Sequence, residues 1–191
     1  MENLKILVET SARHVHLSAE HMAVLFGEGA KLTLKRELSQ PGQFLSEERV
    51  SIVGPKSRMD NVAVLGPERK ATQVELSLTD ARALGVTAPV RESGDVAGSG
   101  SITVVGPKGS VELAEGVIAA KRHIHLQPQT AEKYGLENGQ TVKVTVEGAR
   151  ALTYDEVVIR VSEKFADTMH VDIDEANAAG LSGVVYGIVT K

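Results

Sequence analysis

Four stretches of this sequence share one layout, and that repetition constrains the fold more than any single motif does. LSAEHMAVLFG (17 to 27), LSLTDARALG (76 to 85), LQPQTAEKYG (126 to 135) and VDIDEANAAG (171 to 180) each run from an apolar extended stretch into a short helix-forming segment closed by glycine. The pattern predicts strand, N-cap, helix and C-cap in every copy. Ser18, Ser77 and Asp172 carry side chains that accept hydrogen bonds from a first helical turn, whereas Gln127 is a weak cap followed by Pro128 at the first helical position. Asp172 and Glu175 have capping-box spacing, and Gly27, Gly85, Gly135 and Gly180 suit a left-handed residue just past each helix.

The residue immediately before each stretch is His16, Glu75, His125 or His170, so four equivalent strand ends present side chains able to bind a metal. Two of those histidines close an Arg-His-x-His motif written twice, as Arg13-His14-Val15-His16 and Arg122-His123-Ile124-His125. Residues i and i+2 of a strand project from one face, so each motif offers two imidazoles side by side. One such pair is as often a hydrogen-bonded or surface pair as a ligand pair; its duplication within a short chain favours ligands. The candidates divide into His14, His16 and Glu75, and His123, His125 and His170. Three protein ligands leave a coordination position open, as catalytic sites do. Zinc suits both sets, and two histidines with a carboxylate also suit Fe(II), Co(II) or Mn(II).

The remaining histidine, His21, falls on a first helical turn and is expected at the surface. Arg13 and Arg122 alternate to the opposite face from the first histidine of each motif, for a salt bridge or an anion contact, and the salt bridge is the favoured reading. Arg69 precedes Glu75 by six residues and can reach the same strand end. A guanidinium beside metal and helix N-termini suits a phosphate-like anion.

Between these units the chain reads as hairpins. VSIVGPKSRMDNVAVLGP (50 to 67) and SITVVGPKGSVELAEGVIAA (101 to 120) both run strand, Gly-Pro-Lys turn, strand, and KVTVEGARALTYDEVVIRVS (143 to 162) is a hairpin with a longer connection. RESGDVAGSGS (91 to 101) has no phosphate-loop order and reads as a plain surface loop. The chain is therefore mainly β. With no cysteine, thiolate nucleophiles, disulfides and Cys-type zinc sites are excluded. A net charge of -4 and 3% aromatic residues argue against a nucleic-acid partner. No stretch approaches the roughly 20 apolar residues of a membrane span, and the first residues lack signal-peptide order, so no membrane partner and a cytoplasmic location are expected.

SARHVHLS, LSQPGQF (38 to 44), GPERKATQVELSLTDARALG (66 to 85), APVRESGD (88 to 95), KRHIHLQP and MHVDIDEANAAGL (169 to 181) together resemble the PduL family of phosphate acyltransferases, over nearly the whole chain. The resemblance implies two packed β-barrel domains with short capping α-helices, residues 13 to 120 forming one and residues 121 to 191, completed by an N-terminal strand over 2 to 12, the other. It implies two zinc ions per chain, one on His14, His16 and Glu75 and one on His123, His125 and His170, with Arg69 binding phosphate. It further implies acyl-CoA and phosphate as partners, CoA as substrate, propanoyl or acetyl as the group moved, and room for a homodimer. Members destined for bacterial microcompartments carry an N-terminal amphipathic extension; this sequence starts at the first strand, so shell association is not expected. Ala12 stands where the family often has Asn, and Leu126 where it often has Met.

Direct attack of phosphate on the thioester, with no covalent acyl-enzyme, is the mechanism that suits a chain without cysteine. The strongest rival reading is a cupin-like metal-dependent oxygenase or isomerase, because His14, His16, Glu20 and Gly27 satisfy a cupin-type spacing. Glu20 falls in a capped helical segment and not on a strand, which favours Glu75 as the carboxylate.

Overall fold

The computed structural model describes residues 3 to 191, so the start of the strand expected from residue 2 lies outside the described residues. β1 (Lys5–Ser11) is followed by β2 (His14–His16), which leads into helix α1 (Ala19–Phe26). Next come β3 (Leu34–Glu37), β4 (Phe44–Val53), β5 (Arg58–Gly66) and β6 (Gln73–Glu75), and β6 leads into α2 (Leu78–Leu84). β7 (Val90–Arg91), β8 (Gly100–Val105) and β9 (Ser110–Ala120) precede β10 (His123–Leu126), which runs into α3 (Pro128–Tyr134). β11 (Thr141–Val146), β12 (Leu152–Val161) and β13 (Thr168–Asp172) lead into α4 (Ile173–Ala179), and β14 (Val185–Thr190) ends the order.

These elements form two compact units. One comprises the N-terminal stretch through Ser11, the short excursion Ser39–Pro41, and Lys121–Lys191; the other comprises Ala12–Leu38 and Gly42–Ala120. In the first, β1, β13, β10, β12, β11 and β14 close into a six-stranded barrel. In the second, β4, β5, β2, β6 and β9 are joined in that order, and β8 pairs with both β9 and β4 to close a second six-stranded barrel, with β3 and β7 added at its margins. Closure leaves no bare sheet edge within either ring.

The two barrels have the same internal wiring. β2 lies parallel to β5 and antiparallel to β6, and β10 lies parallel to β12 and antiparallel to β13. The register also matches, for His14 sits opposite Glu75 and His123 sits opposite His170. Alternation builds the barrel interiors: in β11 the buried residues are Val142, Val144 and Val146, which join Ile6, Ile124, Ile159 and Met169 in one core. Val15, Val50, Ile52, Val64, Val74, Val104 and Val117 fill the other. Each side chain of this size contributes about 1.5–3 kcal/mol when fully buried.

Helices of seven or eight residues do not persist alone, so caps and packing must hold them. Ser18 Oγ accepts from the His21 amide, Ser77 Oγ from the Asp80 amide, and Asp172 with Glu175 forms a complete capping box. Gln127 makes no side-chain cap; Asp167 replaces it from a distant loop, accepting from the Gln127 amide at 2.7 Å and from Thr130 Oγ1 at 2.5 Å. Gly85, Gly135 and Gly180 are left-handed, as expected, but Gly27 is not: its φ of 106° and ψ of 158° form a different turn open only to glycine.

The repeated Gly-Pro-Lys turns have one structural role. The Lys56 amide donates to the Leu84 carbonyl at the end of α2, and the Lys108 amide donates to the Leu25 carbonyl near the end of α1, each at 3.0 Å. Glycine is required for that approach, because a Cβ on Gly54 would lie 2.3 Å from the Leu84 oxygen and one on Gly106 2.4 Å from the Leu25 oxygen. Gly54→Ala and Gly106→Ala are each expected to destabilise the chain by about 1–3 kcal/mol. Thermal melts check this; a melting temperature unchanged in either variant would show that the turn does not bear on its helix.

Candidate metal centres

The first cluster is built on β2 and β6. His14, His16 and Glu75 are all buried, and their donor atoms lie within 4.8 Å of one another. His14 Nδ1 lies 2.8 Å from the Ala12 carbonyl, to which it donates, so in the neutral ring Nε2 keeps the free electron pair. That nitrogen is 3.2 Å from His16 Nε2 and 3.5 Å from Glu75 Oε1, and His16 Nε2 is 3.7 Å from the same oxygen. Three lone-pair donors thus converge on one point.

Burial opposes charge on Glu75, yet the fields of His14 and His16 and hydrogen bonds from His14 and Ser93 hold its carboxyl far below the usual range. For His14, burial favours the neutral ring, but Glu75 outweighs it and moves the pKa upward. Burial, then the neighbouring His14 and Arg69, keep His16 neutral. The set is an anionic carboxylate with imidazoles, which is the donor chemistry a divalent cation needs.

Behind Glu75 lies a network that the sequence did not announce. Gln73 Nε2 donates to Glu75 Oε1 at 2.5 Å, Ser93 Oγ donates to the same oxygen at 2.8 Å, and the Gly94 amide donates to Gln73 Oε1 at 2.7 Å. Arg69 Nη1 donates to Ser93 Oγ at 3.0 Å, which places the guanidinium next to the cluster. The stretch from residue 91 is therefore not a plain surface loop, since its Ser93 and Gly94 brace the carboxylate. Gln73 had a readable signal, being two residues before Glu75 and so on the same strand face. Ser93 had none, because its contact depends on how a loop folds back over β6.

The second cluster repeats the design on β10 and β13. His123, His125 and His170 bring their donor atoms within 4.8 Å of one another. His123 Nδ1 lies 2.7 Å from the Lys121 carbonyl and donates to it, the counterpart of His14 and Ala12. The three ring centroids stand 4.6, 5.2 and 5.4 Å apart, and Phe165 covers His125 at 4.2 Å. His125 Nδ1 is buried without a hydrogen-bond partner, and burial, then His123, His170 and Arg160, push the ring's pKa down to about 2. Glu9 also reaches this cluster, its Oε2 lying 3.3 Å from His170 Nε2.

A depressed histidine pKa means that the folded metal-free protein resists a proton the unfolded chain accepts. Stability from His125 is present above about 6.5 and is lost as pH falls towards about 2. His14 has the opposite sign, its contribution being full below the unfolded value and lost as pH rises through the folded one. Metal-free His125→Gln should therefore lose less stability than metal-free wild type between pH 7 and pH 4, as chemical denaturation at the two pH values would show. Equal losses would contradict this assignment of charge.

Both motif arginines form ion pairs with a carboxylate. Arg13 grips Asp80, Nη1 lying 2.9 and 3.1 Å from the two carboxylate oxygens, and Arg122 Nη1 lies 2.8 Å from Glu175 Oε1. Each acid is the third residue of the helix that follows the third member of its cluster. His21 is half-buried, contrary to the surface expectation, with Nδ1 2.8 Å from Thr72 Oγ1. Glu20 stays exposed on α1 and joins neither group, which overturns the cupin-type spacing.

The model of one family, phosphate propanoyltransferase, matches residues 7–182. The chain belongs to the phosphate propanoyltransferase family. It is an acyltransferase. It is 54% identical to the phosphate propanoyltransferase of Listeria monocytogenes over 184 residues, covering 96% of this chain and 86% of that protein. Identity to the enzyme of that name from Thermotoga maritima is 56% over 178 residues, 93% of this chain and 85% of the relative. The Enterococcus faecalis enzyme is 50% identical over 184 residues, 96% and 87% of the two chains. Among the described residues no helix is long and apolar enough to cross a membrane.

Proposed function

We propose that this family member moves a short acyl group, propanoyl or acetyl, between CoA and inorganic phosphate, with one zinc ion on His14, His16 and Glu75 and a second on His123, His125 and His170. We propose further that each compact unit is a domain with its own centre. The observation that carries the reading is the pair of three-donor clusters in a phosphate propanoyltransferase chain, each with its first histidine pinned at Nδ1. Those donors fit zinc, and three protein ligands leave a position for substrate. Zinc bound there supplies a Lewis acid that polarises a thioester carbonyl and favours a departing thiolate.

The chain's own residues account for the rest. Arg69, held against Ser93, offers a guanidinium fork to a phosphate dianion and orients its oxygen as the nucleophile. That oxygen bonds to the thioester carbon, the C–S bond breaks, and CoA leaves as a thiolate that takes up a proton. Ser93 is no nucleophile, because its hydroxyl proton is committed to Glu75 while the oxygen accepts from Arg69 and Gln73. With no cysteine in the chain, an acyl-enzyme has no evident carrier.

Elemental analysis of protein purified without added metal tests the reading. About two zinc ions per chain are expected, with activity lost to a chelator and restored by zinc. Protein that is active while holding no metal, or one iron, would contradict it.

A further inference from the structure

The LSQPGQF stretch contributes nothing to either donor set, yet Ser39–Pro41 leaves the surrounding unit and folds with the barrel that carries His170. Its contacts there are specific. Ser39 Oγ donates to Glu9 Oε2 at 2.5 Å. The buried Gln40 amide brackets Ala166, donating to its carbonyl at 2.9 Å and accepting from its amide at 3.2 Å. Glu9 is the register partner of His170 across the parallel pair of β1 and β13, and its Oε2 lies 3.3 Å from His170 Nε2. The carboxylate approaches one histidine of the cluster, but it is not among the donors that converge within 4.8 Å.

From this geometry we propose that Glu9 is a positioning carboxylate for the second metal centre. It accepts the Nε2 proton of His170, fixes the ring and its tautomer, and leaves Nδ1 as the atom that meets the metal. Ser39 holds Glu9 in that pose. The inference rests on the zinc reading above and deepens it, because a carboxylate behind a ligating imidazole raises the ligand's basicity and restricts its rotation. His14 and His123 obtain the same service from backbone carbonyls. His170 meets a side chain of the neighbouring strand instead, the carboxylate of Glu9. The two centres therefore differ in where their anion stands, behind a ligand in the three-histidine set and among the ligands in the other.

The test is a zinc competition titration against a coloured chelator with the full chain, comparing wild type, Glu9→Gln and Ser39→Ala. Wild type should bind two ions. Glu9→Gln, which keeps the shape and removes the charge, should hold one ion with unchanged affinity and the other about 10–100-fold more weakly. Ser39→Ala should shift the same ion in the same direction by less. Cobalt-saturated Glu9→Gln should show the wild-type visible spectrum, because a positioning residue leaves the ligand count unaltered. Two ions bound with wild-type affinity in Glu9→Gln would overturn the proposal, as would a cobalt spectrum that gains or loses intensity at saturation and so marks Glu9 as a ligand. Wild type that binds no zinc would instead remove the zinc reading on which it stands.

Discussion

Glu75→Ala is expected to bind one zinc ion in place of two and to lose acyl-transfer activity on the order of 10²–10³-fold or more. The side chain is the only anion among its three donors, and Gln73 and Ser93 both donate to its Oε1, so removal strands two hydrogen-bond donors as well as the ligand. Each buried donor left without a partner costs about 1–3 kcal/mol, so a lower melting temperature should accompany the loss of metal. His125→Ala should remove the other ion, because the two sets share no residue. Metal analysis and initial rates on both variants check this pair of results. Retention of two ions in Glu75→Ala would show that His14 and His16 do not depend on the carboxylate.

Arg69→Ala should fail in a different way, keeping its zinc and its fold but requiring far more phosphate. A bidentate, charge-assisted contact to the nucleophile contributes about 2–4 kcal/mol, which corresponds to a loss of roughly 30- to 1,000-fold in kcat/KM for phosphate. Arg69→Lys should recover only part of this, since an ammonium supplies charge without the planar fork. The guanidinium also donates to Ser93, so a small rise in the KM for acyl-CoA through Glu75 is consistent with the network. Wild-type dependence on phosphate in Arg69→Ala would move the anion site elsewhere.

What could be read from the sequence was local in physical origin. The helices were legible because capping is a relation between residues three apart: Ser18, Ser77 and Asp172 each meet the amide three positions on. The convergence of His14 with His16 and of His123 with His125 follows from strand periodicity, and the repeated layout pointed to Glu75 and His170 as their partners. Contacts that depend on where a distant loop returns were not legible. Asp167 caps α3 from 40 residues away, Ser93 reaches Glu75 across 18 residues, and Ser39 reaches Glu9 across 30. Gly27 shows a subtler limit, for its requirement for glycine was readable while its conformation was set by how the chain leaves α1.

The most direct test of the account is release of free CoA from propanoyl-CoA by the zinc-loaded enzyme, followed with a thiol reagent as phosphate concentration is varied. Release is expected to rise with phosphate to saturation, to be negligible in its absence, and to be matched mole for mole by acyl phosphate. Release of CoA that proceeds equally well without phosphate, with free propanoate as the product, would contradict it.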